Sequence, residues 1–240
     1  MTHIKPLLLL VATLAFGAAP LITPSFSGFD PGQFPVQIER PFIQPAGYAF
    51  SIWGVIYLWL IAHAVFGLWR RADDPAWDRV RLPLILSVGL GTVWLAIAGA
   101  SPIWATITIW IMAVASLAAF LRADTQVDRW MLSAPLAILA GWLSAASAVS
   151  LGVALMGYGW LSNTGATLAM LALVLVIAVV VQLRQPRMPI YGLTVIWALA
   201  GVVAVNLADA QHIVIAAACG MVAIALILLA NLRWGILRPT

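Results

Sequence analysis

The chemistry available to this chain rests on aromatic rings more than on acids, bases or metal ligands. Twelve tryptophans occur in 240 residues. Trp53, Trp59, Trp94, Trp110, Trp142 and Trp197 fall inside long apolar runs. An indole in such a run needs a partner for its N–H or a pocket to line. Rings that converge on one pocket would hold a flat, apolar, slightly polar-edged ligand by stacking. Trp69, Trp77, Trp130, Trp160 and Trp234 lie at or just past the ends of the runs, where a half-wet ring suits a membrane interface. Among the histidines His3, His63 and His212, only His63 sits well inside a run, with Trp59 and Phe66 at i−4 and i+3 on the same helical face. An ionisable residue in a membrane span is a functional candidate by default. A neutral imidazole hydrogen-bonded between helices is the competing reading.

Other chemistries lack their residues. No group of His, Cys, Asp and Glu has metal-ligand spacing, and there is no HExxH and no phosphate-cradling glycine motif. The one cysteine, Cys219, excludes an internal disulfide and reads as a small packing residue in an apolar run. No acid falls near the centre of a run, which argues against an ion-driven pump. The net charge of +4 comes from arginines scattered over short loops, without the basic stripe that a nucleic-acid partner would need. No required cofactor is implied.

The elements that position these rings are membrane helices. The chain is 64% hydrophobic and 8% charged, against roughly 25% charged in soluble domains. Continuous apolar runs of the length that crosses a core about 30 Å thick select helices over a barrel. The expected spans are Pro6–Leu21, Gly47–Trp69, Leu82–Ala100, Ile103–Leu121, Met131–Leu155, Thr167–Gln182, Pro189–Leu207 and Ile213–Asn231. When the gaps are numbered alternately, eleven of the twelve Lys and Arg residues fall on one side: Lys5, Arg70, Arg71, Arg79, Arg81, Arg122, Arg129, Arg184, Arg187, Arg233 and Arg238. Only Arg40 falls on the other. Positive loops stay cytoplasmic, so the pattern predicts an all-α integral membrane protein, a polytopic bundle of eight helices in the cell (inner) membrane with both termini cytoplasmic. The first run, with Lys5 before it and Gly17-Ala18-Ala19 after Phe16, has the form of a signal peptide but reads as an uncleaved first helix, because Pro20 disfavours cleavage there. Cleavage would leave seven spans.

Local signals refine the spans. Ser101-Pro102 predicts a capped, tight hairpin between the third and fourth spans. Pro189 can open the seventh and Asp209 can cap the eighth. The segment Arg70–Arg81 reads as a solvated loop with mixed-sign pairs of little energetic weight. The segment Ile22–Ala46 interleaves Pro24, Pro31, Pro35, Pro41 and Pro45 with Phe26, Phe29, Phe34 and Phe42. A disordered tether would not need four phenylalanines, so the segment is expected to be ordered, either as a lid over an outward-opening site or packed on the bundle rim. Small residues on the fifth span (Gly141 with Ala145; Ser144 with Ala148 and Gly152) allow close helix approach, within the bundle or at a homodimer face. There is no clear internal repeat, and residues 1–240 read as one membrane domain.

The stretch PAGYAFSIWGVIY, Pro45 to Tyr57, resembles the second helix of the TspO/MBR family, the tryptophan-rich sensory proteins related to the translocator protein. That family shows a proline pair, Trp-x-Phe, Trp and then Leu-Tyr; Pro45, Tyr48, Phe50, Trp53 and Tyr57 match in kind. Gly91-x-x-Trp94 is similar to the family's Asn-x-x-Trp, and Pro135 with Gly141-Trp142, Ala145 and Ala146 to its proline…Trp…Ala segment. One proline of the pair is missing, Tyr48 stands for a tryptophan, Trp53 comes one residue early, Gly91 replaces the asparagine, and Ser150 falls where the family has another. The motifs cover Pro6 to Leu155, a five-helix core, leaving 156–240 as three additional helices.

The resemblance implies a tryptophan-rich membrane protein that binds flat hydrophobic ligands, porphyrin or another tetrapyrrole or a sterol-like molecule, for transport, sensing or regulation, with no catalytic residues. It places the pocket among the five core helices under the first long loop. The expected ligand-binding residues are Pro45, Tyr48, Phe50, Trp53, Tyr57, His63, Trp94 and Trp142, where positions 50, 53 and 57 share one helical face. The partners are the lipid bilayer and a small hydrophobic ligand, with no nucleic acid. The alternatives are a secondary transporter of a small solute, although broken helices and inverted repeats are not evident, and an intramembrane enzyme acting on lipid or isoprenoid, although no acid–base or metal set is visible.

Overall fold

The computed structural model describes residues 3–23, 26 and 28–237, with side chains described up to 233. Pro24, Arg238 and the ring of Trp234 therefore lie outside the described residues. The described residues form eight α-helices and no strand: α1 Ile4–Ile22, α2 Ile52–Arg70, α3 Pro75–Ala100, α4 Pro102–Arg122, α5 Ser133–Gly157, α6 Asn163–Arg184, α7 Ile190–Asn206 and α8 Gln211–Leu237. Seven are long and apolar enough to cross a membrane. The eighth, α7, is apolar and has 17 residues, the lower limit of about 17 for a span. The chain is an integral membrane protein of the polytopic helical class.

Two rings of helices share α5. α1, α2, α5, α4 and α3 close one ring, each touching the next; α5, α6, α8 and α7 close the other. The core of α5 is accordingly 83% buried, against 28% for α1, α2, α3 and α8, which face outward over most of their surface. This central place explains the small residues of α5. A Cβ on Gly141 would come 2.8 Å from the Tyr191 carbonyl oxygen, and one on Gly152 3.1 Å from Cγ of Met170. The Ser144 hydroxyl donates to the Ala140 carbonyl and lies 3.1 Å from the Tyr191 hydroxyl. The small rows thus pack α5 against α6 and α7 inside the chain.

Caps set the helix ends. Ser101 caps α4 and Pro102 is its first residue, forming the expected hairpin. Ser162 accepts from the Gly165 amide, so α6 starts four residues before the hydropathy boundary at Thr167. Asp209 does not cap α8; its carboxylate accepts from Arg40. The second span opens as a 3-10 turn, Gly47–Ser51, before α2 proper.

The largest departure concerns Arg70–Arg81. Asp74 accepts from the Ala76 amide at 2.8 Å and Pro75 occupies the first helical position, so α3 begins at Pro75 and absorbs most of the segment. Arg81 is 1% exposed rather than solvated. Its guanidinium donates to the carbonyls of Arg71 at 2.6 Å and Ala72 at 2.7 Å, and reaches Asp78 Oδ1 at 3.3 Å. It thereby bonds carbonyls just past the end of α2, where the Asp74 amide also donates to Arg71, with the charge sign that a helix C-terminus favours. Trp77, expected at the interface, is 1% exposed. Its indole N–H donates to Asp128 at 3.0 Å, and Arg71 Nε donates to the same carboxylate oxygen at 2.7 Å. A polar cluster therefore ties the α2–α3 turn to the α4–α5 loop at the arginine-rich end of the bundle. Trp69, Trp130 and Trp160 are exposed at helix ends, as a membrane belt requires.

Candidate ligand-binding site

The five-helix ring does not close to solid packing. It encloses a cavity of about 290 Å³. Rings form the wall on one side. From α1, Phe16 meets Trp53 and Tyr57 edge-on at 5.7 and 5.0 Å. Trp53 stacks on Tyr57 at 5.4 Å and meets Trp142 of α5 edge-on at 6.1 Å, and Phe50 meets the same indole at 5.8 Å. Such offset and edge-on pairs fix ring orientation as well as filling space. Trp94 of α3 completes the wall, its N–H donating to the Ala105 carbonyl at 2.9 Å.

The phenylalanine- and proline-rich segment roofs the cavity; Phe26, Gly28, Phe29, Ile43, Gln44 and Pro45 all line it. Phe26 seats edge-on against Trp94 at 4.9 Å. An edge-on chain then runs Phe26–Phe29–Phe34–Tyr158 over the helix ends. Phe34 fits because residue 157 is glycine, where a Cβ would lie 2.2 Å from its ring. Polar bonds fasten the segment at several points. Gln33 donates to the Gly99 carbonyl at 3.0 Å, the Val36 amide to the Gly157 carbonyl at 2.9 Å, and the Ala46 amide to the Gly201 carbonyl at 3.0 Å. The Phe42 amide donates to Asn163 at 2.9 Å, and Asn206 Nδ2 donates to the Phe42 carbonyl at 2.8 Å. Arg40 binds Asp209 and the Val205 carbonyl.

Of the residues expected at the site, Pro45, Phe50, Trp53, Tyr57, Trp94 and Trp142 line this one cavity. Tyr48 and His63 do not. Tyr48 is 49% exposed and meets Trp197 edge-on at 5.6 Å on the outside of the bundle, as its offsets of two, five and nine residues from positions 50, 53 and 57 place it roughly opposite the face that they share. His63 is fully buried near the arginine-rich end, its Nδ1 2.6 Å from the Met131 carbonyl oxygen and its ring stacked on Trp77 at 4.8 Å. The Met131 carbonyl can only accept, so Nδ1–H donates to it and ties α2 to the turn before α5.

Several wall residues carried no legible signal. Phe16 is the only aromatic residue in α1, which could have marked it. Ile109 and Met112 of α4, Leu171 and Val174 of α6, and Ala198, Leu199 and Val202 of α7 also line the cavity. In an apolar run, an aliphatic residue facing a cavity looks the same as one facing lipid.

The polar inventory of the wall is short. The Ser150 and Thr106 hydroxyls bond each other at 2.7 Å. Trp142 is 2% exposed, and its buried indole N–H finds no hydrogen-bond partner among the described residues. No Lys, Arg, His, Asp or Glu lines the cavity among the described residues, and no group of three or more His, Cys, Asp or Glu among them could hold a metal ion. Among the described residues, the site can therefore surround and stack a ligand, with Gln44, Tyr57 and Ser150 as the polar side chains of its lining besides the indoles.

No curated protein and no solved structure matches this chain. A family model described as TSPO-like protein matches residues 6–230, past the Leu155 limit of the motifs and through the helices that follow it. Since that match takes in nearly the whole sequence, the chain belongs to the TSPO-like protein family.

Proposed function

We propose that this protein binds a flat hydrophobic molecule, tetrapyrrole-like or sterol-like, in the cavity of its five-helix ring, for transport, sensing or regulation. The observation that carries this reading is the convergence of Phe16, Trp53, Tyr57, Trp94 and Trp142, from four helices, on one enclosed apolar space under an ordered roof. Well-formed apolar pockets with few polar groups are the usual form of small-molecule sites. The arginine-rich end is assigned to the cytoplasm of the cell (inner) membrane, which puts the roof and Arg40 on the far side. A ligand would then reach the cavity from the outer side or from the bilayer.

Purified protein in detergent, titrated with protoporphyrin IX and separately with its dimethyl ester, is expected to show saturable quenching of tryptophan fluorescence. Trp53→Ala should weaken that binding by tenfold or more, since it removes one stacking face and three ring contacts. Linear, unsaturable quenching by both compounds would refute the proposal.

A further inference from the structure

The cavity does not end at the five-helix ring. Leu171 and Val174 of α6 and Ala198, Leu199 and Val202 of α7 belong to the second ring, yet they line the same space. The shared helix lets this happen. Toward the cavity α5 presents Ala145, Ala146, Val149, Ser150 and Val153, small or short side chains that leave room on both flanks. The two parts differ in chemistry. The side formed by α1, α2 and α3 is mostly ring; the side formed by α6 and α7 is wholly aliphatic.

Two further observations limit what fits. Among the described residues the walls carry no ionisable side chain beyond the Tyr57 phenol, so a ligand carboxylate would be buried there without a counter-charge, which is strongly unfavourable. The Trp142 N–H is itself buried away from the cavity, so this residue offers the ligand the rest of its ring, as a stacking surface and not as a donor. Resting on the ligand-binding reading above, we infer that the ligand is an uncharged flat ring carrying a hydrocarbon tail. The ring lies among Trp53, Tyr57 and Trp142; the tail lies against α6 and α7. The helices that follow the five-helix ring thus set specificity.

Quinones provide probes of this chemistry. Menadione is the ring without a tail, and menaquinone-4 is the same ring with a prenyl tail. Both are expected to quench saturably. In micelles the tail is already out of water, so the useful readout is selectivity between variants. Ala198→Phe and Val174→Phe, on different helices, each fill the aliphatic bay. Each should weaken menaquinone-4 by tenfold or more and change menadione by less than threefold. Trp142→Ala, which removes that ring from the wall, should weaken both quinones by severalfold. The porphyrin diester should bind at least tenfold tighter than the diacid. In the unmodified protein, a menaquinone analogue with a photoreactive tail end should label peptides of α6 or α7, a result that does not depend on any variant folding.

Labelling confined to α1–α4, equal loss of both quinones in the two bay-filling variants, or a diacid that binds as tightly as its diester would overturn the assignment while leaving a ligand site in place. Failure of menadione, menaquinone-4 and the porphyrin diester alike to bind saturably would remove the site itself.

Discussion

Gly91 offers the sharpest test of how the aromatic wall is built. A Cβ at this position would lie 2.4 Å from Phe16 Cε2, 2.8 Å from Cδ2 and 3.0 Å from Cζ. Ordinary carbon contacts lie at about 3.5–4.0 Å, so in Gly91→Ala the ring must move by about 1 Å. It cannot move freely, because Trp53 and Tyr57 back it at 5.7 and 5.0 Å and the residue is 4% exposed. Overpacking of this kind costs about 1–3 kcal/mol. The better helix propensity of alanine returns about 1 kcal/mol, so the clash wins over most of that range and a net loss of up to about 2 kcal/mol is expected. For a chain of this size that is a fall of up to about 4–8 °C in melting temperature. Thermal melts followed by tryptophan fluorescence in one detergent measure it. Phe16→Leu should be destabilising alone but should rescue Gly91→Ala, with a coupling of about 1 kcal/mol or more in the double-mutant cycle. A Gly91→Ala protein as stable as the parent, or additive effects in the cycle, would refute the α1–α3 contact and with it the position of Phe16 in the cavity wall.

Three further outcomes follow from the same structure. The hydrogen bond from Arg71, with help from the Trp77 N–H, holds the Asp128 carboxyl below the usual carboxylate range. Its folded-state value is thus lower than its unfolded one, near about 3.9, so its contribution is complete above that pH and lost as pH falls through the folded value. Asp128→Asn, tolerable at a φ of 46°, should therefore lower the melting temperature at pH 7 and flatten the decline between pH 5 and pH 3; an unchanged acid slope would contradict the cluster. Arg81→Met should cost about 1–3 kcal/mol in chemical or thermal denaturation, because the part-buried carbonyls of Arg71 and Ala72 lose this donor; a neutral result would mean that Arg81 is solvated after all. Arg40 and Asp209 are about half exposed, so Arg40→Ala should cost less than about 1 kcal/mol. Asn206→Ala should cost more, about 1–3 kcal/mol, because buried Asn206 bonds the Phe42 carbonyl and fastens the roof; the reverse ranking in melts would refute this account of the roof's anchorage.

How much of the site was legible follows from what distinguishes residues in a run of apolar letters. Rings stand out against aliphatic neighbours, and positions 50, 53 and 57 follow helical spacing, so the α2 wall could be read directly. Tyr48 has the right type, but helical spacing sets it on the side away from positions 50, 53 and 57, where it meets Trp197. His63 has the right type and depth along the chain, but the indole of Trp77 covers it. Trp77 was hidden for a related reason. Asp74 and Pro75 start α3 early, and the charged letters around them read as loop when they are the first turns of a helix.

The sequence by itself determined the solvent and the helix count, because both depend on a local quantity, the transfer of about twenty apolar residues into hydrocarbon. It also marked the phenylalanine- and proline-rich segment as ordered. Only the tertiary structure decided that α5 stands at the junction of two rings, that one cavity passes from rings to aliphatic side chains across it, and that Arg81 and Trp77 are interior. In lipid an apolar side chain gains almost nothing by facing a neighbouring helix rather than an acyl chain, so hydrophobicity carries no information about which face turns inward. Close packing and hydrogen bonds between residues far apart in sequence make that choice, and they exist only once the helices are assembled.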